Sequence, residues 1–66
     1  MTNLEAVRTR RQWSQEKLAE MAGLAQSDIS AIERGWRKPY PKQAARLARV
    51  LGIKASELTQ DASASA

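Results

Sequence analysis

The chain has 66 residues, with no Cys and no His. That length makes one domain at most, with a small core and little stability to spare, and the composition rules out disulfides and a His/Cys zinc site as supports. Eleven Lys and Arg against seven Asp and Glu leave a net charge of +4, an excess that favours a polyanionic partner such as nucleic acid.

No apolar run approaches the length that spans a bilayer. The opening Met1-Thr2-Asn3-Leu4 lacks the basic-then-apolar layout of a signal peptide. The chain therefore reads as a cytoplasmic protein with no membrane partner. β-branched residues are sparse and nothing alternates as a strand does, so the expected class is all-α.

In chain order, Thr2 caps a first helix, with Glu5 three residues on completing a capping box. Leu4 and Val7 share one face of that helix, and Arg8, Arg10 and Arg11 crowd its C-terminal turns, where cations suit the dipole. Ser14 caps a second helix that runs to about Ala22, and Gly23 ends it. A short turn, Leu24-Ala25, leads to a third helix from Gln26 to Arg34, closed by Gly35.

The stretch from Trp36 to Tyr40 is irregular, because Pro39 and Pro41 push their preceding residues toward extended backbone. Pro41 suits the first position of a fourth helix, which carries Ala44, Leu47, Ala48 and Leu51 at helical spacing and stops at Gly52. A final turn or short helix spans Ala55 to Thr59, with Leu58 turned inward. The boundaries are then a domain over residues 1–59 and a flexible tail over 60–66, small and polar with nothing to bury.

The informative part is the middle. Two helices of about two turns meet at a tight corner led by Gly23, with small Ala19 at the close approach. Leu18, Ala22, Ile29 and Ile32 fall at spacings that turn all four inward. An ordinary helical hairpin uses the same devices.

The longer pattern says more. Ser14-Gln15-Glu16-Lys17-Leu18-Ala19, then Gly23, Gln26-Ser27, Ile29-Ser30, Ile32-Glu33-Arg34-Gly35, Pro39 and Leu47-Ala48-Arg49-Val50-Leu51-Gly52-Ile53 closely resembles the phage-repressor and Cro-like (XRE-type) helix-turn-helix family. The resemblance covers residues 4 to 58. It implies a compact five-helix, lambda-repressor-like domain whose third helix enters the major groove of double-stranded DNA. It also implies dimers that read two half-sites about one helical turn apart.

The resemblance assigns roles residue by residue. Gln26 opens the third helix and is the expected base reader, since its amide suits adenine N6 and N7. Ser27 and Ser30 follow on the same face. Asp28 accepts from cytosine N4 or steadies the helix N-terminus. Ala31 stands where some relatives carry a polar reader and offers only a methyl contact.

Gln15 at the start of the second helix, with Arg10, Arg34, Arg37, Lys38 and Lys42, forms the expected phosphate-binding set; Arg11 is a further candidate. Arg8 and Glu33 match a salt bridge between the first and third helices of related repressors. Three positions depart from the pattern. Ala25 replaces the usual Ser or Thr cap, Trp13 takes the place of a common core leucine, and Trp36 follows a glycine where a basic or small polar residue is usual. Trp36 either stacks against sugar or shields the Arg8–Glu33 region.

An enzyme is not expected: no nucleophile–base pair, metal constellation or phosphate-cradling glycine loop is present, and no cofactor or small-molecule ligand is expected either. The rival from another class is an antitoxin-type subunit that sequesters a toxin protein while repressing its own operon. A membrane-surface helix fits less well, because the basic residues are spread over several short helices. Within DNA binding, the short chain fits a repressor, whether the controller of a restriction-modification cassette or a phage or plasmid switch. The expected homodimer surface is the fourth helix and final turn, through Leu51, Ile53 and Leu58.

Overall fold

Local signals set the helix ends in the computed structural model, which describes residues 1–62. Helix α1 (Asn3–Arg10) starts where the Thr2 hydroxyl accepts from the Glu5 N–H at 3.2 Å. Helix α2 (Gln15–Ala22) starts where the Ser14 hydroxyl accepts from the Lys17 N–H at 2.9 Å. Helix α3 (Gln26–Glu33) follows, with Arg34 as its cap. Pro41 is the first residue of α4 (Pro41–Leu51), and the expected fifth helix is a single 3₁₀ turn, Ala55–Glu57.

All four helices contribute to one core. Leu4 comes from α1, Leu18, Ala19 and Ala22 from α2, Ile29 and Ile32 from α3, Leu47 and Leu51 from α4, and Leu58 follows the 3₁₀ turn. Burying a Leu or Ile side chain contributes about 1.5–3 kcal/mol, which in so small a domain makes each of them important. Trp13 packs against the edge of this core, as its leucine-like position suggests.

Two expectations change here. Leu51 and Leu58, assigned to a dimer surface, are buried within the core and offer nothing to a partner; of that trio only Ile53 is half-buried at the surface. Their spacing signals burial, but the surface they meet is their own domain. In addition, residues 60–62, read as tail, are hydrogen-bonded to the N-terminus. Asn3 N–H donates to the Gln60 carbonyl, Ala62 N–H donates to the Met1 carbonyl, and Thr2 and Asp61 form an antiparallel bridge. The rest of the expected tail lies outside the described residues.

The turn after α1 uses a device that no glycine announces. Gln12 has φ 62°, the left-handed region that costs a side-chain-bearing residue roughly 1–2 kcal/mol. The gain is two closing bonds, from the Gln12 N–H to the Thr9 carbonyl and from the Trp13 N–H to the Arg8 carbonyl, which satisfy carbonyls that a helix end leaves open.

Candidate nucleic-acid interface

The corner between α2 and α3 decides how α3 is presented. Gly23 adopts φ 69°, and the Leu24 N–H reaches back to the Ala19 carbonyl at 2.8 Å. A side chain at Gly23 would need the left-handed backbone and would also press on the Arg46 guanidinium, which donates to the Gly23 carbonyl at 3.3 Å. Ala25 takes the extended N-cap conformation and supplies no side-chain cap. The missing hydroxyl therefore leaves its helix uncapped, and Ser27 does not shift the start.

Helix α3 buries Ile29, Ile32 and Glu33. Gln26, Ser30 and Arg34 stand four residues apart, with Ser27 and Ala31 alongside, and together they form an outward strip on the flank of α3 that begins at the edge of the buried face. Gln26, Ser27 and Arg34 are exposed, while Ser30 and Ala31 are half-buried. Asp28 falls beyond the edge of the strip.

Three side-chain braces tie the elements together, two of them on α3 itself and the third between α1 and α4. The first is the expected Arg8–Glu33 pair. Arg8 Nε donates to Glu33 Oε2 at 2.6 Å and Nη2 donates to Oε1 at 3.1 Å, while Nη1 donates to the Trp13 carbonyl at 2.7 Å. Their side chains are only 11% and 3% exposed. Gln15 joins the pair by donating from Nε2 to Glu33 Oε1 at 2.9 Å, so this expected phosphate ligand has an internal partner.

The second brace links α3 to the following loop and α4. Arg37 Nη2 donates to Asp28 Oδ1 at 2.7 Å, and Arg37 Nη1 donates to Gln43 Oε1 at 3.1 Å. Gln43 Nε2 lies 3.4 Å from Asp28 Oδ2, and Gln43 Oε1 also accepts from the Tyr40 N–H. Asp28, expected among the base readers, and Arg37, expected on phosphate, are thus engaged with each other. The third is Arg11, whose guanidinium donates to the Val50 and Leu51 carbonyls at 3.0 and 2.9 Å; a cation is well placed at this end of α4.

The basic residues not engaged in these braces include Arg34, Lys38 and Lys42, which lie exposed from the end of α3 to the start of α4, and Arg10, exposed on the last turn of α1. Trp36 is 72% exposed and Tyr40 62% exposed. The Arg34 guanidinium sits over the Trp36 ring, 5.1 Å from its centre. Trp36 therefore does not shield the Arg8–Glu33 pair.

Sequence reasoning missed the Asp28–Arg37–Gln43 network and the reach of Arg11. Gln43, two residues after Pro41 and three after Tyr40, carried a usable signal, because a Gln at the third helical position commonly accepts from the cap N–H. Among the described residues no cluster of three or more His, Cys, Asp or Glu side chains could hold a metal ion. No helix among them is long and apolar enough to cross a membrane.

The Helix-turn-helix family model matches residues 4–58. A restriction-modification controller protein, C.AhdI from Aeromonas hydrophila, is 37% identical, with 82% of each chain covered and a TM-score of 0.73. A hypothetical transcription factor, NHTF from Neisseria, is 30% identical over 96% of this chain and 71% of its own, with a TM-score of 0.80. The N-terminal DNA-binding domain of the biofilm regulator SinR from Bacillus subtilis is 28% identical over 94% of both chains, with a TM-score of 0.77. Among curated proteins none matches in sequence. The chain belongs to the XRE-type helix-turn-helix family of DNA-binding transcriptional regulators.

Proposed function

We propose that the chain is a repressor that binds a palindromic operator as a homodimer, with α3 of each copy in the major groove. The observation that carries this reading is the outward strip of α3, with the Gln26 amide and the Ser27 and Ser30 hydroxyls along it and the exposed Arg34 at its far end. Gln26 reads an adenine through N6 and N7. Ser27 and Ser30 add single hydrogen bonds, and Ala31 meets a thymine methyl. Asp28 is left out of the reading set, because its carboxylate is engaged by Arg37 and Gln43.

Arg34, Lys38 and Lys42 take the phosphates that flank the groove, and Arg10 with the first turn of α2 at Gln15 takes a further stretch of backbone. The similarity to a restriction-modification controller and to the DNA-binding domain of a biofilm regulator supports transcriptional control. Dimerisation through the end of α4 now rests on Val50 and Ile53, both half-buried at the surface. Concentration-dependent sedimentation that shows monomer alone, with and without DNA, contradicts that part.

The test is selection of bound sites from random duplexes, run in parallel with Gln26→Ala. Wild type is expected to enrich an inverted repeat. The variant is expected to lose discrimination at one position per half-site, worth about 1–3 kcal/mol. Unchanged preference in the variant removes Gln26 from the reading role, and failure of wild type to enrich any site removes sequence-specific binding.

A further inference from the structure

We propose that Trp36 is itself a DNA contact: its ring packs on a deoxyribose of the backbone beside the groove, and it holds the stacked Arg34 guanidinium toward the adjoining phosphate. The proposal rests on the major-groove reading of α3.

Trp36 is fixed rather than loosely attached. Its N–H donates to the Ala31 carbonyl at 3.0 Å and the Gly35 N–H donates to the Ile32 carbonyl, with Gly35 at φ 76°. These backbone bonds fix where the chain leaves α3 and so place the Trp36 Cα beside the outward strip, while the stacked Arg34 guanidinium is the contact the ring itself makes. Even so, it is 72% exposed, whereas the other tryptophan, Trp13, packs against the core. Tryptophan is among the side chains enriched at binding interfaces, where its ring supplies a large contact area, and this one stands exposed next to α3 with Tyr40 exposed in the same loop.

Charge selects the partner. Residues 34–42 hold Arg34, Arg37, Lys38 and Lys42 and no carboxylate. Among the described residues, Arg37 is the one of these paired with a carboxylate, that of Asp28. A polyanion satisfies the remaining three cations, while an apolar protein surface would leave them desolvated and unpaired. In a duplex the base faces are covered by stacking, so the apolar surface within reach of a ring beside the groove is the sugar. One face of the Trp36 ring already carries Arg34, which leaves the other face for that sugar. The same stacking restricts the long Arg34 side chain before DNA arrives, which lowers the ordering cost of its phosphate contact.

The experiment measures binding of the full chain to the selected duplex, to a scrambled duplex and to their single strands across a salt series, for wild type, Trp36→Ala, Trp36→Phe and Arg34→Ala. Trp36→Ala is expected to bind about tenfold more weakly on every duplex, the size of one lost aromatic contact. Its salt slope should stay as in wild type because no charge is removed, and its melting temperature should be unchanged. Arg34→Ala should lower the salt slope by about one. Tryptophan fluorescence should change on adding duplex to wild type and should not change in Trp36→Phe, which keeps only Trp13.

Wild-type affinity in Trp36→Ala, or fluorescence indifferent to saturating duplex, overturns the proposal and leaves the α3 reading standing. Tighter binding to single strands than to duplex overturns it in favour of base stacking. If wild type binds no duplex at all, the α3 reading falls and takes this proposal with it.

Discussion

Glu33→Ala removes the acceptor for three donors at once: Arg8 Nε, Arg8 Nη2 and Gln15 Nε2. It also strands the Arg8 guanidinium, only 11% exposed, without a counter-charge. Breaking one side of a buried pair costs about 3–5 kcal/mol. A domain of this size holds roughly 3–10 kcal/mol in total, at 0.05–0.15 kcal/mol per residue. The variant should therefore lose at least about a third of its stability, and melt at least ~12 °C lower at some 4–8 °C per kcal/mol.

Arg8→Met combined with Glu33→Leu removes both charges and restores apolar packing, so most of the loss should return. Urea unfolding of wild type, Arg8→Met, Glu33→Leu and the double variant closes the cycle. A Glu33→Ala cost below about 1 kcal/mol, or single losses at Arg8 and Glu33 that simply add, would show that the pair is not a coupled buried brace.

Three further variants test the account away from that pair. Gln12→Gly should raise stability by about 0.5–1 kcal/mol, because glycine relieves the left-handed strain at some cost in chain entropy; a lower melting temperature would show that the Gln12 side chain matters more than its backbone. Ala25→Ser should supply the missing α3 cap and add about 1 kcal/mol, read as a shift in the urea midpoint, and no shift means the N-cap geometry does not admit a hydroxyl bond. Arg37→Ala should cost under about 1 kcal/mol of stability, since the pair is roughly a third exposed. It should nonetheless weaken DNA binding on all sequences by loosening the loop that carries Trp36 and Lys38; unaltered affinity in a filter or anisotropy assay denies the brace a functional role.

What was legible in the sequence was mostly local. Thr2 and Ser14 mark helix starts by their hydroxyls, Gly23 and Gly52 mark stops, and Pro41 marks the entry to α4; each acts within one turn of itself. The apolar spacing of Leu18, Ala22, Ile29 and Ile32 likewise foretells their burial. The Arg8–Glu33 pair was legible only through family resemblance, because 25 residues separate its members.

The rest depends on long side chains reaching across the fold. Nothing local marks Arg11 as a ligand of the last carbonyls of α4, or Arg37 as a partner of Asp28. For the same reason, a basic loop seen in sequence overstates the charge available to a ligand: Arg37 is neutralised from behind. The dimer surface failed differently. Periodicity established that Leu51 and Leu58 are buried, but not that their own domain does the burying.

The central claim is that the outward strip of α3 is the DNA-binding face. Its most direct test is amide chemical-shift mapping of the full chain titrated with the duplex it selects. The account predicts the largest changes at Gln26, Ser27, Ser30, Arg34, Trp36 and Lys38, with little change at Glu20 and Arg49. Changes concentrated instead around Met21, Arg46 and Arg49, with α3 unmoved, would contradict it.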